Sequence, residues 1–163
     1  CAILSTNMVR ALLFSVLFFA IDQFSKWFIL EWINLNEIGM YEVFEPYLVL
    51  SMGWNRGINF GLLSEYPDAI RWVLIGVAVA ISTGLIIWSR SFVSRWAPFL
   101  IGMVVGGAIG NAWDRIRYGA VVDFLNMSCC GIQNPYIFNI ADIFVFGGLI
   151  GLALFSERFA KRA

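Results

Sequence analysis

The sequence predicts an all-α membrane protein of four transmembrane helices, with a small extramembrane β-platform, folded as one domain over residues 1–163. Three observations carry this. The chain has 163 residues, of which 60% are hydrophobic and 13% charged, whereas a soluble domain has about 25% charged residues and cannot bury so much apolar surface at this size. Four separate stretches are apolar over lengths comparable with the ~20 residues of a bilayer crossing. Between the first two lies a segment that mixes β-branched, aromatic and acidic residues, a strand-like composition.

The first span is expected at 11–33, behind Arg10, and it contains Asp22 and Lys26. Its basic residue followed by an apolar run resembles a signal peptide. It is too long for one and lacks a small-residue cleavage site, so it reads as an anchor. The platform follows, with strand-like residues over 41–52 interrupted by Pro46. Asn55-Arg56-Gly57 is a turn signal, and 58–63 is apolar again. The second span is expected at 70–88, the third at 96–112 and the fourth at 138–155.

Basic residues set the orientation. Arg10, Arg90, Arg95, Arg158, Lys161 and Arg162 fall on one side, which is expected to be cytoplasmic along with both termini. The acid-rich first loop falls on the other side, although Arg56, Arg71, Arg115 and Arg117 do too. Trp27, Trp32, Trp54, Trp72 and Trp113 fall near the outer interface, and Trp88 and Trp96 near the inner one, where indoles prefer to sit. Gly102, Gly106 and Gly110 repeat every fourth residue, as do Gly147 and Gly151. Such stripes let helix backbones approach closely.

Composition excludes several function classes. Eleven basic and eleven acidic residues leave no net charge, so nothing points to nucleic acid. Histidine is absent, which removes Ser-His-Asp and Cys-His catalysis and imidazole zinc sites. Cys1, Cys129 and Cys130 form no disulfide framework, and the adjacent pair reads as small apolar loop residues.

Ionisable groups in hydrocarbon are costly and therefore mark functional sites by default. At about 1.5 Å per residue, Asp22 lies roughly 18 Å beyond Arg10, past the midplane. Lys26 follows one turn later, in the favourable order for an i,i+4 ion pair. A structural salt bridge and a functional pair remain open. Asn111, Asp114 and Arg115 share a helix face at i, i+3 and i+4. Arg115 suits a phosphate of a membrane lipid, or a pairing with Asp114 or Asp22. Asp123, flanked by apolar residues, is expected to have a raised pKa. Asp142 opens the fourth helix, where the dipole favours the charged form, and also reads as a plain helix cap. Two aspartates in unlike environments suit one neutral and one ionised carboxyl, the arrangement that activates water for attack on an amide.

These residues fall into ordered motifs. Asp22-Gln23-Phe24-Ser25-Lys26 is similar to the D-Q-x-x-K element of the type II, or lipoprotein, signal peptidases. Asn55-Arg56-Gly57-Ile58-Asn59-Phe60 resembles their N-x-G-x-x-F element. The segment from Gly107 through Asn111, Asp114 and Arg115 resembles G-x-x-x-N-x-x-D-R. Val121-Val122-Asp123-Phe124 resembles V-x-D-F, and Phe138-Asn139-Ile140-Ala141-Asp142 resembles F-N-x-A-D. The resemblance covers nearly the whole chain from Met8.

It implies an aspartyl endopeptidase of the bacterial cytoplasmic (inner) membrane, monomeric and without a metal, its site near the outer face. Its partner would be a prolipoprotein, cut just before a cysteine carrying diacylglycerol. Asp123 and Asp142 would be catalytic. Asp22, Lys26, Asn55, Gly107, Asn111, Asp114, Arg115 and Asn139 would support the site or engage substrate. Sensitivity to cyclic peptides such as globomycin would follow. The sequence departs from the family's pattern at Asn134-Pro135-Tyr136, where an aromatic-proline pair is usual, and at Cys129-Cys130-Gly131. Two other readings are a small proton- or cation-coupled membrane transporter and a non-enzymatic scaffold. The second span offers a transporter almost no polar path, and a scaffold leaves Asp22, Asn111 and Asp142 unexplained.

Overall fold

The computed structural model describes residues 5–57, 67–132 and 134–159, with side chains at 67 and 156–159 left aside. The apolar stretch 58–63, motif positions 59 and 60, and the basic side chains at 158, 161 and 162 lie outside the described residues. Helix α1 runs Thr6–Trp27 and continues as a π turn over Phe28–Trp32. Ser5 caps it, its hydroxyl accepting from the Met8 amide at 3.3 Å. A short helix α2, Leu35–Ile38, leads into strands β1, Met40–Phe44, and β2, Leu48–Asn55. Helix α3 is Pro67–Trp88, and α4 is Trp96–Tyr118. Gly119 ends α4 in the left-handed region at φ 77°, its amide bonded to the Arg115 carbonyl at 3.1 Å. Strand β3, Val121–Asn126, and helix α5, Ile140–Phe159, complete the chain.

The chain is therefore mostly helical, with a small three-stranded sheet. Three helices are long and apolar enough to cross a membrane: Thr6–Trp32, Asp68–Ser91 and Trp96–Tyr118. The apolar part of α5, Ile140–Phe155, is shorter. The helices exceed the expected spans. In particular α4 continues to Tyr118, so Asn111, Asp114 and Arg115 lie within the helix rather than closing it.

The β-platform is present but is built differently from the expectation. Its strands run in the order β1-β2-β3, all antiparallel, and the third comes from the segment after α4 rather than from the first loop. The register sets Gly53 opposite Asp123 and Trp54 opposite Val122. Phe138 then bridges to Leu125, so the entry to α5 is held against β3. Strand β3 is buried along Val121–Phe124 because Val122 and Phe124 pack on Ile29, Leu35 and Leu50.

Helix α4 is the hub, touching α1, α3 and α5. Glycine makes this possible. A Cβ on Gly106 would stand 2.7 Å from the Ser15 carbonyl oxygen of α1, and one on Gly102 would run into Phe14. One on Gly107 would stand 2.5 Å from the Ala141 carbonyl oxygen. On α5 the close backbone approach is at Gly148, whose added Cβ would lie 2.7 Å from the Leu100 carbonyl oxygen. At Gly147 it would meet only the tip of Met103, whereas at Gly151 it would stand 2.8 Å from the Leu100 side chain, so of the expected pair Gly151 faces α4 closely and Gly148 takes the place of Gly147. All seven tryptophans of the sequence are exposed on the outside of the molecule.

Because Gly106 faces main chain, Gly106→Ala is expected to push α1 off α4. Overpacking of this kind costs about 1–3 kcal/mol. The midpoint of thermal unfolding in detergent should fall by several degrees, whereas Gly84→Ala, with open space around it, should leave it unchanged.

Candidate active site

At the junction of α1, α4, β3 and α5, one cation meets two carboxylates. Lys26 Nζ lies 2.8 Å from Asp22 Oδ2 and 2.7 Å from Asp114 Oδ2. Lys26 is 2% exposed, and both acids are fully buried. The expected Asp22–Lys26 pair is there, and Asp114 makes it a triad. Each remaining acceptor is satisfied. Gln23 donates to Asp22 Oδ2 and to Asp114 Oδ1, both at 3.0 Å. The Ala141 amide, in the first turn of α5, donates to Asp22 Oδ1 at 3.2 Å. The Val122 amide of β3 donates to Asp114 Oδ2 at 3.3 Å. A side chain at Gly110 would collide with the Asp22 carboxylate, so this glycine makes room for charge as well as for helix packing.

Lys26 also donates to Asn111 Oδ1 at 3.1 Å, which links the triad to a second polar layer. Asn111 Nδ2 donates to Asp142 Oδ1 at 2.9 Å. Asn139 Nδ2 donates to Asn111 Oδ1 at 3.1 Å and to Asp123 Oδ1 at 2.7 Å. Asn139 and Asp142 bond reciprocally. The Asp142 amide donates to Asn139 Oδ1 at 3.0 Å, and the Asn139 amide to Asp142 Oδ2 at 3.2 Å. This is a capping box written with Asn and Asp, and it starts α5. The cap residue is Asn139, directly before Ile140, and Asp142 is its partner at the third helical position rather than the cap itself; Asn139 is also shared with Asp123. Among the described residues no hydrogen bond joins the two carboxylates directly; Asn139 holds both.

Asp123 is 3% exposed. Burial, with the Asp142 charge nearby, pushes its pKa up to about 6, against the lowering effect of donors from Asn55 and Asn139 and of the Lys26 charge. Asn55 Nδ2 reaches Asp123 Oδ2 at 3.0 Å from the end of β2. The other Asn55 atom, Oδ1, accepts from the Gly57 amide at 2.9 Å, the expected turn. A cleft of about 210 Å³ opens on Asp123, lined by Gly53, Trp54, Asn55, Pro135, Tyr136 and Ile137. It is not the largest on the molecule; its polar wall and Asp123 single it out.

Of the two readings of Arg115, the ion pair is not found. Among the described residues Arg115 makes no ion pair with Asp114 or Asp22. Its Nη1 donates to the Asn111 carbonyl at 3.2 Å, while Nε is buried without a partner. Asp114 faces the Lys26 side and Arg115 does not, since adjacent helical residues point about 100° apart. Gly107 contributes no side chain; its lack of one lets α5 enter beside α4. Gln23, Gly53 and Tyr136 were missed as site residues. Gln23 stands inside the D-Q-x-x-K motif, between an acid and a lysine, which was a legible signal. Gly53 had none, because strand register decides its place, and Tyr136 showed only as part of the departure at Asn134-Pro135-Tyr136. Among the described residues, no three His, Cys, Asp or Glu side chains are grouped to hold a metal ion.

Residues 14–158 match the family described as Signal peptidase (SPase) II. The chain belongs to the signal peptidase II family. Its relatives include the lipoprotein signal peptidase of Methylorubrum extorquens (strain PA1), 38% identical over 88% of this chain and 83% of the relative. That of Rhodopseudomonas palustris (strain ATCC BAA-98 / CGA009) is 40% identical over 81% of this chain and 82% of the relative. Two solved structures of bacterial membrane enzymes, obtained by the in meso method at 2.3 and 1.9 Å resolution, are each 26% identical. The first covers 91% of this chain and 88% of its own, with a TM-score of 0.70. The second covers 88% and 90%, with a TM-score of 0.75. Membership in the signal peptidase II family makes this chain a peptidase and gives no support to ion transport.

In this signal peptidase II family member the buried triad predicts a folding role for Lys26. Lys26→Met leaves two buried carboxylates facing each other, and breaking such a pair costs about 3–5 kcal/mol. Accumulation in the membrane and thermal midpoint should both drop sharply. A variant that melts normally yet is inactive would move Lys26 into the chemistry.

Proposed function

We propose that the chain is an aspartyl endopeptidase that removes the signal peptide from diacylglyceryl-modified prolipoproteins, cutting before the lipidated cysteine. The observation that carries this reading is the sharing of Asn139 by two carboxylates from separate segments, beside a cleft at the edge of an apolar bundle. Asp123 and Asp142 are the catalytic pair. Asp123, whose raised pKa of about 6 lets it keep a proton in mildly acid solution, donates that proton to the oxygen of the scissile carbonyl. Asp142, fixed by N–H donors at a helix start, takes a proton from the attacking water. The tetrahedral intermediate then breaks its C–N bond. The proton held by Asp142 passes to the leaving amine, and the proton returned from the former carbonyl restores Asp123.

Asn55 and Asn139 orient Asp123, and Asn111 orients Asp142. Arg115, with a buried donor free among the described residues, hydrogen-bonds the substrate's main chain or the phosphate of a neighbouring lipid. Asp22, Lys26 and Asp114 hold the scaffold, and Gly107 admits α5. In this reading α5 is a fourth span, both termini are cytoplasmic, and the cleft opens at the outer face of the bacterial inner membrane. The whole chain forms one domain and acts as a monomer with no cofactor. The exposure of all seven tryptophans supports that placement, since indoles prefer the membrane interfaces.

Asp123→Asn and Asp142→Asn should each lower release of the signal peptide from a lipid-modified prolipoprotein by at least about 10²–10⁴-fold, with thermal midpoints little changed. Normal cleavage by either variant removes that residue from the proposed chemistry.

The pH profile should be bell-shaped. Its alkaline limb reports Asp123: activity falls there as the proton of that carboxyl, whose pKa is raised to about 6 in the free enzyme, is lost. Asn55 stabilises the charged form of Asp123, so Asn55→Ala should raise that pKa further and move the alkaline limb of kcat/KM to higher pH. A limb that stays or moves down would contradict the assignment.

A further inference from the structure

At the opposite end of the bundle from the site, α1 and α4 run side by side in the same direction and carry matched pairs. Arg10 is followed one turn deeper by Phe14, and Arg95 one turn deeper by Phe99. Together with Trp96 these residues line a cleft of about 400 Å³. Phe14 and Phe99 meet edge to face, with ring centroids 5.3 Å apart, and Trp96 packs edge-on against Phe99 at 6.4 Å. The Arg95 guanidinium lies over the Trp96 ring at 5.9 Å. The Asn7 amide, donating to the Phe92 carbonyl at 2.7 Å, ties the start of α1 to the loop that carries Arg95.

Two features distinguish this place from an ordinary basic rim. Among the described residues neither Arg10 nor Arg95 makes an ion pair, and no acidic side chain lines the cleft. Among the described residues, therefore, two positive charges stand at one opening without a partner acid, at the start of a 23-residue helix whose dipole adds to them. Below them the wall is aromatic. Charge at the mouth and apolar rings one turn deeper match a molecule with an anionic head and a hydrocarbon tail, standing along the bundle.

We propose that this cleft is a binding site for one anionic phospholipid, its phosphate between Arg10 and Arg95 and one acyl chain along Phe14 and Phe99. The positions of the two arginines put it in the cytoplasmic leaflet. The site rests on the membrane reading above, but not on the peptidase chemistry, from which it is separated by the length of the bundle.

The test uses the full chain in a zwitterionic detergent, with lipid retention read by native mass spectrometry. Phosphatidylglycerol should be retained, one per chain, at roughly thirtyfold lower concentration than phosphatidylcholine of the same chains, since each of the two basic residues contributes about 1 kcal/mol and 1.4 kcal/mol is tenfold. Arg10→Gln/Arg95→Gln should abolish the preference, and each single change should weaken it. Prolipoprotein cleavage by the double variant in the same detergent reports that it is folded. Should the double variant fail to fold, the unaltered chain still decides the matter: its preference should fade as salt rises from about 0.05 to 0.5 M. Equal retention of the two lipids, a preference that survives the double change or high salt, or displacement by glycerol phosphate at lipid-like concentrations would each overturn the proposal. A chain that retains phosphatidylglycerol selectively but cleaves nothing would keep this site and reject the peptidase reading.

Discussion

Lys26 is enclosed between Asp22 and Asp114 where α1 crosses α4, and everything at the active-site end is positioned by the need to satisfy those three groups. A charge removed from water must be paired and hydrogen-bonded or it destabilises the fold by several kcal/mol. Here the missing partners come from four different elements: Gln23 on α1, Asn111 on α4, the Val122 amide on β3 and the Ala141 amide on α5. Moving any one of these elements by an ångström would orphan a buried polar atom. The cluster therefore acts as a registration point. It fixes β3, which carries Asp123, and the start of α5, which carries Asp142, against the same face of α4.

Small residues and charges cooperate in this. The glycines of α4 bring the α1 and α5 backbones so close that side chains cannot intervene, and polar atoms are then forced together in a dry interface. Gly110 illustrates it: the space its missing Cβ leaves is filled by the Asp22 carboxylate. In a dry interface each hydrogen bond is electrostatically stronger than in water, and rigidity follows from full satisfaction. The second polar layer inherits that rigidity through Asn111 and Asn139. At Asp123, by contrast, burial and the neighbouring acid outweigh the donors from Asn55 and Asn139 and shift its titration up to about 6.

The two ends of the bundle divide the labour by sign of charge. Acids collect at one end, where they are buried, paired and wired to a cleft. At the other stand Arg10 and Arg95, which make no ion pair among the described residues and share a cleft with aromatic rings. The first arrangement has the chemistry to hold and move a proton, and the second has the shape to hold a lipid. Neither needs a large interior, because the surrounding bilayer takes over the burial of the outward-facing apolar side chains that a soluble protein of this size would have to hide.

Much of this was legible in the residues themselves. Apolar length announced the long helices, spacing announced the Asp22–Lys26 pair and the α4 glycine stripe, and five ordered motifs announced the family. Those signals are local, set by helix period and by the cost of charge in hydrocarbon, and a linear chain displays them. Three things depended on the folded arrangement: that β3 after α4 completes a sheet begun before α3, that Asp114 turns to Lys26 while Arg115 does not pair with it, and that one asparagine holds both candidate aspartates. Each rests on contacts between segments far apart in sequence. Strand register, helix rotation and the closing of polar shells are decided only when those segments meet.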